Sequence, residues 1–155
     1  VMGSISDKDI GDKVIEILDK FQVDYELRVI SAHRTPKMAA EFAENAEENG
    51  LDLIIAMAGK AAHLAGVIAG ITPLPVIGVP IKSSTMDGMD SLLSTVQMPK
   101  GVPVATVAIN GGENAGLLAV QILSLKYPEL REKFKEYKIE MAEGVEKIDK
   151  EVQSL

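Results

Sequence analysis

Hydrophobic positions along the chain follow two periods. Over 8–21 they recur at Ile10, Val14, Ile17 or Leu18, and Phe21, which is one stripe of an α-helix. Ser6 or Asp7 stands where a side-chain oxygen would cap its first N–H groups. Residues 25–30 (YELRVI) form a short β-prone run. Thr35 and Pro36 read as N-cap and first residue of a second helix, because proline has no N–H to leave unpaired there. This helix is expected to reach about Asn49, with Met38, Phe42 and Ala46 inward and Gly50 ending it. The runs 51–56 (LDLIIA), 75–79 (PVIGV) and 104–109 (VATVAI) are nearly all apolar, as in strands covered on both faces. Between and after them the pattern predicts a small-residue helix over 61–71, a short helix within 87–96, and a mostly apolar helix over 113–126.

Strands alternating with helices predict an α/β fold with right-handed crossovers. The expected architecture is a three-layer, flavodoxin-like parallel sheet of about five strands, the first ending at Met2. The whole chain, 1–155, reads as a single domain. Beyond Pro128 the pattern changes. Leu130, Phe134, Tyr137, Met141, Val145, Ile148 and Val152 lie three or four apart among Lys and Glu, so 128–155 reads as a long amphipathic helix with one apolar seam. The seam suits packing on its own domain or on another subunit. The segment 51–110 carries few charges, at Asp52, Lys60, Lys82, Asp87, Asp90 and Lys100, which favours a homo-oligomer.

Composition narrows the function. The 155 residues hold 16 Lys plus Arg against 23 Asp plus Glu, a net charge of −7. That balance argues against a general nucleic-acid binder, which needs a basic face to displace counterions. Cysteine is absent, which removes thiolate catalysis and Cys-based metal centres. With only two histidines, a multi-His metal site is not expected, and no cofactor is implied. No segment has the pattern of a membrane span or a signal peptide, so the expected location is the cytoplasm. The chain opens on Val1 inside an apparent strand, so further residues are expected before it.

In an open parallel sheet, ligands bind beyond the carboxyl ends of the strands. The polar and Gly-rich segments fall there: 3–7 (GSISD), 31–36 (SAHRTP), 58–63 (AGKAAH), 82–88 (KSSTMDG) and 110–114 (NGGEN). The first offers helix-terminal N–H groups and Ser hydroxyls to an anion, or is a plain cap. Asp7 is a cap or an acceptor for sugar hydroxyls. His33 is the sharpest feature, since an imidazole is the natural proton carrier near neutral pH, although a lone loop histidine is often a surface residue. Ser31 and Arg34 suit one phosphate, Arg34 bringing a forked, permanently charged donor set. His63 is a packing histidine or a contact for a carboxylate or CO₂ beside the N–H groups of 59–62. Lys60 adds charge there or is a solvated lysine. Lys82, Ser83 and Ser84 could close the pocket. The residues alone point to a small anionic substrate and a histidine acid–base, and leave the substrate unnamed.

Taken together, G-S-x-S-D at 3–7, S-A-H-R-T-P at 31–36, A-A-H-L at 61–64 and D-S-L-L-S-T-V-Q-M-P at 90–99 resemble the PurE family in its bacterial, class I branch. The resemblance spans Val1 to about Tyr137. It implies a flavodoxin-like homo-octamer acting in purine biosynthesis as an N5-carboxyaminoimidazole ribonucleotide mutase. Such an isomerase moves a carboxylate from N5 to C4 of the imidazole ribonucleotide without a cofactor or metal. It further implies His33 as the general acid/base and Ser4, Ser6, Ser31 and Arg34 on the 5′-phosphate. Asp7 would hold the ribose, and Gly59, Ala61, Ala62, His63 and Leu64 would surround the base and its carboxylate, with Lys60 beside them. Met86 or its neighbours would complete the pocket from an adjoining subunit. Met57, Lys60 and Ala65 stand where this branch usually has Gly, Gly and Pro. The animal-type branch, which carboxylates the ribonucleotide directly with CO₂, instead reads S-A-H-K and A-G-R-S-N. A CO₂-using carboxylase and a non-catalytic nucleotide-binding module are the alternatives.

Overall fold

The structure is a computed structural model that describes residues 1–84 and 86–155. Two compact units are present, Val1–Ala119 and Val120–Leu155. The first is built on a parallel sheet whose regular part is β1 (Ile54–Gly59), β2 (Val76–Ile81) and β3 (Ala105–Thr106), in that order. β1 and β2 pair from Ile54↔Val76 to Gly59↔Ile81. Every position of β2 is buried, as a central strand covered on both faces requires.

Two further segments join this sheet through single parallel bridges, Met2↔Val29 and Met2↔Met57. The Met2 N–H donates to Arg28 O at 2.9 Å, Ile30 N–H to Met2 O at 2.9 Å, and Gly3 N–H to Met57 O at 2.8 Å. The lateral order is therefore the 25–30 segment, the Met2 segment, β1, β2, β3, which is the flavodoxin-like order 2-1-3-4-5. The expected five full strands reduce to three strands and two bridges. The last strand shortens for a local reason. Beyond Gly78↔Thr106, Val107 N–H reaches Gly78 O and Asn110 N–H reaches Pro80 O. One extra residue on the outer side breaks the ladder, as a bulge does.

The helices are α1 (Lys8–Phe21), α2 (Pro36–Glu44), α3 (Leu64–Ala69), α4 (Met89–Val96), α5 (Gly112–Leu123) and α6 (Pro128–Gln153). α1 buries Gly11, Val14, Leu18 and Phe21, close to the expected stripe. α2 departs from expectation in two ways. It stops at Glu44, where the Asn45 side chain donates to Glu41 O at 2.7 Å. It also faces the core through Ala39 and Ala43, while Met38 is 41% exposed. Ala39 and Ala43 join the buried cluster that holds Ile30, Ile54 and Leu64, with Phe42 packed against it, and Met38, about 100° around the helix from Ala39, turns outward. α3 begins at Leu64, not 61, and α4 follows a 3₁₀ turn over Met86–Gly88.

α4 packs tightly on the sheet. A Cβ placed on Gly78 would lie 2.4 Å from Thr95 Cγ2, so only glycine fits that crossing. The buried hydroxyls there are satisfied: Ser91 Oγ reaches Ile81 O at 2.9 Å and Gly88 O at 2.8 Å, and Thr95 Oγ1 donates to Ser91 O at 2.7 Å.

In the second unit, α6 has Pro128 and Glu129 in its first turn and Lys150 in its last, which suits the helix dipole. Leu130 is buried, whereas Met141, Val145, Ile148 and Val152 are exposed. Among the described residues no helix is long and apolar enough to cross a membrane.

Candidate active site

The five polar segments all follow the carboxyl ends of their strands or strand-like segments, and hydrogen bonds lace the first two together. Ser4 Oγ accepts from Ser6 N–H at 3.3 Å and opens a 3₁₀ turn over Ile5–Asp7 that leads into α1. Asp7 closes the capping box: its carboxylate accepts from Ser4 N–H at 3.1 Å and Ser6 Oγ at 3.2 Å. Neither Ser6 nor Asp7 caps α1 as expected; Asp7 holds the preceding turn instead. Its side chain is buried. Burial pushes its carboxyl above the usual range, while the bonds from Ser6 and the backbone and the charge of Arg34 pull it back.

The 31–36 segment is similarly tied. Thr35 does not cap α2. Its Oγ1 accepts from Ser31 N–H at 3.0 Å and donates to Ser31 O at 2.9 Å, closing the turn that carries His33. Arg34 bonds Ser31 Oγ through its backbone N–H at 3.2 Å and through Nε at 3.3 Å. Its Nη2 donates to Gly3 O at 3.0 Å. The guanidinium thus bridges the two segments. An open cavity of about 360 Å³ lies here, lined by Gly3, Ser4, Ile5, Val29, Ser31, Arg34 and Thr35. Three of the four residues expected around a phosphate line it; Ser6 does not. Ile5 and Val29, which the sequence did not single out, supply its apolar walls. Their signal was only their position beside Ser4 and Ser31.

Across from this cavity's loops, the segment after β1 reaches His33. Lys60 takes a left-handed backbone, φ 57°, which L side chains adopt at some cost. Ala62 N–H then donates to Lys60 O and His63 N–H to Ala61 O, both at 2.8 Å. Of the N–H groups of 59–62 expected to face a carboxylate, that of Ala62 is therefore already occupied. His63 precedes α3 rather than lying a turn inside it, and it makes no side-chain cap. Its Nδ1 instead lies 3.0 Å from Nε2 of His33. The rings meet edge to face, with centroids 5.0 Å apart and planes at 79°. Ala62 and Leu64 are buried, whereas Lys60, Ala61 and both histidines are exposed.

The 82–88 loop is engaged with itself and its neighbour. Lys82 Nζ pairs with Asp87 at 2.9 Å, and Lys82 N–H donates to Asn110 Oδ1 at 2.8 Å. Met86 is 65% exposed. Thr85, part of that expected loop, lies outside the described residues. Among the described residues no cluster of three or more metal-ligating side chains occurs.

Comparison with known proteins shows the family. The family model for AIR carboxylase matches residues 1–144. The chain belongs to the AIR carboxylase family. It is 59% identical over 145 residues to N5-carboxyaminoimidazole ribonucleotide mutase of Thermotoga maritima, covering 94% of this chain and 85% of that protein. It is 58% identical over 141 residues to the mutase of Pyrococcus abyssi, covering 91% and 81%. The crystal structure of Treponema denticola PurE superposes with a TM-score of 0.86 at 31% identity, covering 97% of this chain and 94% of that one. The flavodoxin-like fold of this AIR carboxylase family member rests on that likeness as well as on its strand order.

Proposed function

We propose that this member of the AIR carboxylase family is an isomerase, an N5-carboxyaminoimidazole ribonucleotide mutase. The observation that carries the reading is the placement of His33 in the same short loop that supplies Ser31 and Arg34 to the cavity. A phosphate held by Arg34, Ser31, Ser4 and Ser6 would anchor the ribonucleotide there, with charge-assisted bonds from the guanidinium. A carboxylate has about four acceptor positions. Asp7 uses some of them on Ser4 and Ser6, leaving others for a ribose hydroxyl. The base would then extend toward His33 and the Gly59–Leu64 segment.

The chemistry balances without a cofactor. The N5–carboxylate bond breaks, CO₂ departs, and the electron pair remains on nitrogen, which takes a proton from His33. C4 then attacks the retained CO₂, and the C4 proton returns to His33. The protein ends as it began. Holding CO₂ against C4 makes that second step effectively unimolecular, and exclusion of water would keep the gas in place. The exposed seam of α6 supports the further expectation of a homo-oligomer, an octamer by family likeness.

The test is to incubate the purified protein with the N5-carboxylated ribonucleotide in bicarbonate-free buffer and follow the C4-carboxylated product. Product formation supports the mutase. Product only from the uncarboxylated ribonucleotide plus bicarbonate would support the CO₂-using carboxylase, for which the cation at Lys60 is the favouring feature. No product in either direction would indicate a binding module.

A further inference from the structure

We infer that His63 acts on the reaction through His33, as the hydrogen-bond acceptor that selects which ring nitrogen of His33 exchanges protons with the substrate. This deepens the reading above and rests on His33 being the acid–base group. The Nε2 of His33 and Nδ1 of His63 are 3.0 Å apart. That separation holds one proton between the nitrogens and has no room for two. Each neutral imidazole has one donor and one acceptor nitrogen. If His33 Nε2–H donates to His63 Nδ1, both rings carry their proton on Nε2, the tautomer that a free histidine side chain prefers in water. The opposite direction would force both into the less favoured Nδ1–H form. The favourable arrangement leaves Nδ1 of His33 with its lone pair.

The backbone that carries the His63 ring is fixed. The His63 N–H is bonded to Ala61 O at 2.8 Å and its carbonyl accepts from Val67 N–H at 2.9 Å. The guanidinium of Arg34, the nearest cation in sequence to His33, is held on Gly3 O and Ser31 Oγ and does not compete for the contact. A histidine whose second nitrogen is tied to a fixed partner keeps one tautomer and one ring orientation. In turnover His33 enters as the imidazolium, with a second proton on Nδ1, and that nitrogen gives its proton to N5 and recovers it from C4. The Nε2–H bond to His63 persists through both steps, and no proton passes to His63. His63 is a positioning residue.

The experiment compares His63→Ala and His63→Asn in turnover of the N5-carboxylated ribonucleotide. It also reads the His33 ring nitrogens by long-range ¹H–¹⁵N NMR in the ligand-free protein, at alkaline pH where imidazoles are neutral. Asn places a polar atom near the position of the imidazole Nδ1. The expected result is a kcat lowered about 10- to 100-fold in His63→Ala with KM held within about threefold, and most of the loss recovered in His63→Asn. The parent protein should show His33 protonated at Nε2 alone, and His63→Ala should show averaged tautomers. A raised KM at unchanged kcat would mark His63 as a ligand contact and overturn the inference. So would Asn performing no better than Ala, or His33 nitrogens unaltered in His63→Ala. The NMR pattern needs no turnover. Absence of product from the parent protein sinks the mutase reading, whereas an unaltered His33 pattern sinks this one.

Discussion

Nε2 of His33 and Nδ1 of His63 lie 3.0 Å apart although 30 residues separate them in the chain. The contact exists because both residues follow carboxyl ends of parallel strand segments that bracket the Met2 segment in the sheet. In such a sheet the loops of strands distant in sequence converge on one edge.

If His33 carries the proton, His33→Asn should reduce turnover by about 10²- to 10⁴-fold, the usual contribution of a positioned acid–base group. Binding of the ribonucleotide should persist, since the phosphate contacts are untouched. Stopped-time product assays together with titration calorimetry measure both. Near-parental rates would remove His33 from the mechanism.

Arg34 should serve affinity more than the chemical step. Losing a hydrogen bond to a charged group costs about 1.5–3 kcal/mol, or roughly 10- to 100-fold in Kd. Arg34→Ala should weaken the ribonucleotide by that factor and leave the dephosphorylated nucleoside nearly unaffected. Equal losses for both ligands would place the guanidinium away from the phosphate.

Asp7 predicts a stability profile. Burial holds its carboxyl above the ordinary value of 3.8. The folded chain then binds this proton more tightly than the unfolded one. The Asp7 contribution to stability is therefore greatest below pH 3.8 and falls as pH rises through the raised native value. Asp7→Asn should abolish that fall, so denaturation midpoints of the variant should gain on the parent as pH rises from 3.8 through the raised native value and hold that gain above it. Its affinity for the ribonucleotide should drop, because a ribose acceptor is lost. Parallel pH profiles for the two proteins would contradict the first expectation.

Gly78→Ala should destabilise the fold by about 1–3 kcal/mol, the usual cost of an overpacked contact, because the new Cβ meets Thr95 Cγ2 at 2.4 Å. Thr95→Ser removes that methyl and keeps the hydroxyl that bonds Ser91 O. The double variant should recover part of the loss in urea denaturation, giving a coupling of opposite sign to the single effects. Simple additivity would argue that the strain lies elsewhere.

Much of this was legible in the chain itself. The alternation of apolar runs with helical stripes identified the α/β class, and the Gly-, Ser- and His-bearing segments fell after each run, where such sheets bind ligands. His33, Ser31 and Arg34 share one short loop, so their proximity required no long-range knowledge. Met38 shows where local pattern misleads. A large apolar side chain reads as core, but the face that α2 buries carries Ala39 and Ala43, and Met38 lies off it. The shortened last strand is a similar case, since a one-residue bulge leaves no mark in hydrophobicity.

By itself, then, the sequence determined the fold class, the strand-end location of the polar loops and the imidazole at position 33, because periodicity and turn chemistry are local properties. Tertiary structure alone decided that Asp7 braces its own turn, that Arg34 ties two loops together through Gly3, and that His63 meets His33. Those are matters of distance between residues brought together by strand order, and spacing along a chain does not encode how far apart two loop tips stand once the sheet has formed.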